Sequence, residues 1–313
     1  MKVLFWGTPA FALPALRALG EEGHVVVGVV TQPDRPAGRG RGMAMSAIKQ
    51  EAVEEGIPVL QPERARGPEF MEEIRALDPD ISVVVAYGQI LRPEVLELPP
   101  LGSVNIHASL LPELRGAAPI QWAIARGHET SGITIMRMEA GLDSGPVILQ
   151  VPEPISPEET GSELGARLAE IGAEALVEAL ALMEAGQAVA AAQDHARATY
   201  APKVDRATAR VDWSRSAEEA ARLMRAMDGV PGAWSPLGER GAVKLFRPAV
   251  LDEWEGEPGT VLAADPRDGI VVACGSGAVR VREVQPPGKR RMDAGEWVRG
   301  RGAAAGDRFG GEG

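Results

Sequence analysis

The sequence predicts an α/β domain built on a Rossmann-like parallel sheet, followed by a smaller domain of short strands. Two patterns carry this reading. Up to about residue 126, short β-branched or apolar runs alternate with helix-like segments, as in parallel sheets covered by helices. Beyond Pro231, short strands separated by Gly, Pro and Asp suggest a small barrel or sandwich.

The elements follow in order. Lys2–Trp6 and His24–Thr31 read as strands with a helix, Phe11–Leu19, between them. Ser46–Glu55 and Phe70–Leu77 read as helices, and Pro58–Leu60 as a short strand. Ile81–Ala86 is rich in β-branched residues, the composition of a strand buried on both faces. Ser103–His107 is the next strand, and a helix is expected near Ile120–Arg126. Leu164, Leu168, Ile171, Ala175, Leu176, Leu180 and Met183 mark one face of a long helix that Gly186 ends. The periodicity then stops. The expected division is a first domain over residues 1–188, a linker over 189–206 and a second domain over 207–313. Ser216 and Glu219 have capping-box spacing and open a helix reaching about Met227. Val243–Phe246, Gly259–Ala263, Ile270–Ala273 and Ala278–Val284 are the clearest later strands. The closing GAAAGDRFGGEG reads as disordered.

Composition narrows the class. A chain of 313 residues has length for two cores. No apolar run approaches the ~20 residues of a membrane span, and no signal-peptide pattern precedes the first strand. Cys274 is the only cysteine, so no intramolecular disulfide forms, and a reducing, cytoplasmic location is expected. The four histidines have no i, i+4 pair, and no metal is implied. Nothing suggests an interface, so a monomer is expected. The net charge of −11 argues against a nucleic-acid binder only until its distribution is considered. Residues 1–206 hold 17 basic and 28 acidic side chains (17 − 28 = −11), whereas residues 207–313 hold 16 of each. Lys289-Arg290-Arg291 is a local basic cluster in that neutral half, either a solvated face or a phosphate-binding patch.

The sole asparagine, Asn105, lies two residues before His107. On a strand, i and i+2 share a face, so an amide donor and a proton-transfer group are brought together there. Asn105 as a turn former, His107 as a core histidine and Asp143 as a turn residue are the plainer alternatives. No G-x-G-x-x-G or P-loop pattern follows the first strand, so the Rossmann-like sheet does not imply a dinucleotide.

Around these residues the order N-x-H (105–107), SLLP (109–112), RG-x-AP (115–119) and GLDSG (141–145) resembles the folate-dependent formyltransferases. The opening VLFWGTPAFALPAL and the TQPDRPAGRG stretch resemble the branch acting on initiator tRNA. The likeness runs from residue 2 to about residue 292. It implies an α/β catalytic domain and a second barrel like the oligonucleotide-binding (OB) fold. It also implies transfer of formyl from 10-formyltetrahydrofolate to the α-amino group of methionyl initiator tRNA. Asn105, His107 and Asp143 are then catalytic: the amide donates to the developing oxyanion, the imidazole stabilises that oxygen or shuttles a proton, and Asp143 orients the imidazole and relays the amine's proton through a water. Ser109, Leu110, Leu111 and Pro112 would contact the folate, and Tyr87–Leu91, with Ile90 and Leu91, would border the pterin pocket. Arg115 and Gly116 could position an anionic or backbone group. Arg35, Arg39 and Arg41, in a Gly- and Pro-rich loop, would meet the tRNA acceptor end, with Arg39 favoured. Lys203, Lys244, Lys289 and Arg290 are backbone-contact candidates. Two rivals remain: formyl transfer to a small amine such as an amino-sugar nucleotide, and a catalytically silent RNA-binding protein on this scaffold.

Overall fold

The computed structural model describes residues 1–37 and 42–311. Along the chain run β1 (Lys2–Gly7), α1 (Leu13–Glu21), β2 (Val25–Val30), a short hairpin of β3 (Arg35–Ala37) and β4 (Gly42–Ala44), α2 (Ala47–Glu54), β5 (Val59–Leu60), α3 (Pro68–Ala76), β6 (Ile81–Val85), α4 (Pro93–Leu96) and β7 (Ser103–His107). Then come α5 (Pro119–Ala125), β8 (Thr130–Arg137), β9 (Val147–Pro154) and the long α6 (Gly161–Glu184). None of the described helices is long and apolar enough to cross a membrane.

The chain divides into two compact units. One comprises Met1–Pro119, Thr130–Pro154 and Gly165–Pro202; the other comprises Ile120–Glu129, Ile155–Leu164 and Lys203–Gly313. The first unit carries a seven-stranded sheet ordered β5-β2-β1-β6-β7-β8-β9. Its first five strands run parallel, as expected, but β8 and β9 are antiparallel. These two strands were not read from the sequence, because their alternation is interrupted by Gly132 and by prolines. Leu4 and Trp6 of β1 point to one face, where they join Val30, Phe70, Ile74, Val84, Tyr87 and Leu91 in a core. Trp6 meets Phe70 and Tyr87 edge-on, with ring centroids 5.9 and 5.2 Å apart, and its indole donates to Ser82 Oγ.

Residues 189–202 lie in the first unit. Ala191 pairs with Val147 and Tyr200 with Arg115, so helical periodicity is lost there because the backbone is extended and paired.

The second unit holds α7 (Ala217–Ala226), β10 (Trp234–Pro236), β11 (Ala242–Leu251), β12 (Val261–Asp265), β13 (Gly269–Ala273), β14 (Ala278–Gln285), β15 (Met292–Asp293) and α8 (Ala294–Arg299). Its antiparallel sheet runs β10-β11-β14-β13-β12, with β15 on β14. Ser216 and Glu219 form the expected capping box at the start of α7. The helix buries Ala217, Ala220, Ala221 and Met224 against the strands.

The reading of the last dozen residues as disordered is corrected as far as Gly311. Val261 N–H donates to Asp307 O and Phe309 N–H to Gly259 O beside β12, while Gly310 N–H donates to Pro236 O at β10. The tail thereby joins the two edge strands. Phe309 is fully buried, 5.6 Å from the Trp213 ring. Glycine-rich composition hid a single aromatic anchor.

Candidate active site

β7 lies between β6 and β8, paired parallel to the first and antiparallel to the second. Asn105 and His107 point to the same face and are both buried, at 9% and 5% exposure. No group among the described residues hydrogen-bonds the Asn105 amide, so its NH2 is free to donate. The side chain is mostly covered, yet its amide is left unspent by the protein.

His107 is held from both sides. Its Nε2 is 3.0 Å from Leu114 O. A carbonyl only accepts, so Nε2 carries the proton and the neutral ring keeps its lone pair on Nδ1. That Nδ1 is 3.8 Å from Asp143 Oδ2, close enough for the carboxylate to stabilise an imidazolium. Asp143 Oδ2 also accepts the Gly116 N–H at 2.7 Å. Leu114 and Asp143 have φ of 58° and 48°. Left-handed backbone at non-glycine residues costs about 1–3 kcal/mol and gathers at functional sites. Here it falls on the two residues that flank the imidazole.

Asp143 sits in the connection from β8 to β9. A Cβ on Gly145 would overlap the Arg137 carbonyl oxygen, so the turn closes this tightly only with glycine there. Asp143 thus shapes a turn and serves the site.

The Ser109–Pro112 loop is pinned from the sheet. Thr134 Oγ1 donates to Ser109 O and accepts from Leu111 N–H, and Gln150 Nε2 donates to Leu111 O. Ser109 Oγ donates to Glu113 O. Ser109 and Leu111 are therefore buried and spent internally, whereas Leu110 and Pro112 keep partial exposure. In the other proposed wall, Ile90 is 90% exposed and Leu91 packs in the core beside Trp6. Leu91 can offer a ligand its backbone and no side chain.

Two residues that follow parallel strands carry a buried polar atom with no hydrogen-bond partner among the described residues: Tyr87 Oη after β6 and Gln32 Nε2 after β2. Burial pushes the Tyr87 phenol up to about 12, so it stays protonated as a donor. Open α/β sheets bind ligands at these strand ends. The backbone-rich loops and these orphaned donors are of the kind that holds a flat, polar-edged heterocycle such as a pterin.

Arg115, expected to position an anionic or backbone group, is 4% exposed and bonds Gln193 Oε1 twice and His195 Nδ1. Gln193 was missed by the sequence reading; a lone glutamine in an alanine-rich stretch carries no local signal.

Arg35 is exposed on β3, and Arg39 and Arg41 fall outside the described residues. Lys203, Lys289 and Arg290 are exposed. Lys244 lines a cavity of about 200 Å³ with Arg206, Pro231, Trp234 and Ala242. The Arg206 guanidinium stacks 4.5 Å from the Trp234 ring. Arg291, the third member of the basic cluster, is consumed by ion pairs to Asp228 and Glu283.

The formyl transferase family matches residues 1–180, and the formyl transferase C-terminal domain matches residues 203–302. The methionyl-tRNA formyltransferase of Symbiobacterium thermophilum is 50% identical over 99% of this chain and 95% of its own. HypX from Aquifex aeolicus, solved in complex with tetrahydrofolic acid, superposes with a TM-score of 0.63 at 20% identity, over 95% of this chain. This chain spans about half of HypX, 47% of its length. Methionyl-tRNA formyltransferase from Clostridium thermocellum superposes with a TM-score of 0.59 at 16% identity, covering 81% of this chain and 95% of that one. Both structures share the fold. With a family match over more than half its length and a relative half identical to nearly all of it, the chain belongs to the formyl transferase family.

Proposed function

We propose that this protein transfers the formyl group of 10-formyltetrahydrofolate to the α-amino group of methionyl initiator tRNA, giving formylmethionyl-tRNA for translation initiation. The observation that carries the chemistry is the unspent Asn105 amide on the same strand face as His107. The α-amino nitrogen attacks the formyl carbon of the donor, and the bond from that carbon to N10 then breaks, so that tetrahydrofolate leaves with N10 taking up a proton. The Asn105 NH2 donates to the formyl oxygen as negative charge builds on it. His107 Nδ1, with its lone pair fixed by the Nε2–Leu114 bond, takes the proton leaving the amine. The Asp143 carboxylate stabilises the imidazolium so formed. Ser109–Pro112 and Tyr87–Leu91 hold the folate mainly through backbone groups and the exposed parts of Leu110, Pro112 and Ile90.

The half-identical relative named for the tRNA reaction supports the acceptor. Lys203, Lys244, Lys289 and Arg290 of the second unit offer phosphate contacts, and Arg35, Arg39 and Arg41 are assigned to the acceptor end. Residues 1–188 are assigned to catalysis and 207–313 to tRNA binding, while the 189–206 stretch expected to join them belongs, up to Pro202, to the first unit. A cytoplasmic monomer completes this reading.

Asn105→Ala tests the chemical assignment. Loss of one oxyanion donor is expected to lower kcat on the order of 10²–10³-fold while methionyl-tRNA still binds. Unchanged turnover would refute it.

A further inference from the structure

The Asp143 carboxylate is only as well placed as the turn that carries it, and that turn is clamped from outside its own strands. Gln193 is buried, at 8% exposure. Its Nε2 donates to Asp143 O at 2.9 Å and to Gly145 O at 2.7 Å, so both amide protons are spent on the Asp143 turn. Its Oε1 accepts from Arg115 Nε at 3.1 Å and Arg115 Nη2 at 2.6 Å. Arg115 is followed in the chain by Gly116, whose N–H donates to Asp143 Oδ2. The bonds therefore close a ring: Asp143 carboxylate, Gly116, Arg115, Gln193, Asp143 carbonyl.

We propose that Gln193 is a positioning residue for the reaction, holding Asp143 in its left-handed conformation so that the carboxylate stays beside His107 Nδ1. The proposal rests on the catalytic reading of Asp143. Three features support it. The Asp143 backbone is strained, at φ 48°, and needs outside bonds to persist. Glutamine suits this place because it presents two donors to two carbonyls and an acceptor to a guanidinium at once. Among the described residues Arg115 has no carboxylate partner, since its bonds are to Gln193 and His195, so it serves Gln193 as an anchor. The pairing of Ala191 with Val147 fixes the chain two residues before Gln193 and sets its reach.

A double-mutant cycle separates positioning from general stability. Gln193→Glu keeps size and the Arg115 contact but turns an acceptor oxygen toward two carbonyls; Gln193→Ala removes the clamp. Each is assayed for steady-state formylation in the wild-type and Asp143→Ala backgrounds, alongside thermal melting. Either substitution is expected to lower kcat about 10²-fold, the scale of a 1 Å misplacement, with KM for both substrates little changed. In the Asp143→Ala background the same substitution should cost nothing further. If Gln193→Ala does not fold, Gln193→Glu carries the test. A loss that persists undiminished without Asp143, or a raised KM with normal kcat, would overturn the proposal alone. Wild-type turnover in Asp143→Ala itself would overturn the role of Asp143, and the proposal with it.

Discussion

Replacing Phe309 by alanine should unfold the second unit well before the first. Phe309 is 1% exposed, so the substitution removes a whole ring from the core shared with Trp213, Leu237 and Val261. Large-to-small changes at such positions cost about 3–5 kcal/mol, including the cavity left behind. The lost contact with Trp213, 5.6 Å between centroids, accounts for roughly 0.5–1.5 kcal/mol of that. The four tail hydrogen bonds, two with Val261 and one each with Gly259 and Pro236, use backbone atoms and survive the substitution. Truncating after Gly300 removes them too, at about 1 kcal/mol each. Calorimetry should show the transition of this unit lowered by on the order of 10–20 °C, with an earlier change in tryptophan fluorescence. A destabilisation below about 1 kcal/mol would refute the view that the tail closes the sheet.

Gly116→Ala should impair both folding and turnover. At φ 119° an added Cβ would sit 2.7 Å from Ala201 O, and relieving that contact moves the N–H that holds Asp143; a melting curve and kcat measured together check this. Cys274 should resist thiol reagents at pH 8 until the protein unfolds, because burial pushes its thiol up to about 11. A raised acid of this kind is favoured in its neutral form in the fold, so its contribution to stability is lost as pH rises above the ordinary thiol range toward 11; stability against pH from 8 to 11 tests the sign. Lys244→Glu should weaken methionyl-tRNA binding, reduce the slope of log affinity against log salt by about 1 and leave folate KM unchanged. An unaltered slope would remove Lys244 from the RNA interface.

The local chemistry was legible in the sequence wherever it repeats or caps. Ser103–His107 and Gly269–Ala273 were read nearly to the residue, and Ser216 with Glu219 gave its helix start, because alternation and capping act over a few positions. Asn105 beside His107 was legible for the same reason, as strand geometry alone puts i and i+2 on one face. What bonds those side chains was not. Leu114 O, Gly116 N–H and Gln193 reach the site through tertiary folding, across separations of 7 to 50 residues that no local pattern encodes. The tail failed in the opposite direction. GAAAGDRFGGEG has a disordered composition, yet one phenylalanine and a few backbone pairs are enough to fix it against two strands.

The acceptor is the central claim, and it is tested most directly by supplying 10-formyltetrahydrofolate with methionyl initiator tRNA and, in parallel, with a free amino-sugar nucleotide. Formyl should be incorporated into the charged tRNA and not into the nucleotide. Incorporation into the nucleotide alone would leave Asn105, His107 and Asp143 as the chemical centre but contradict the assignment of the second unit and of Arg35, Arg39 and Arg41 to tRNA.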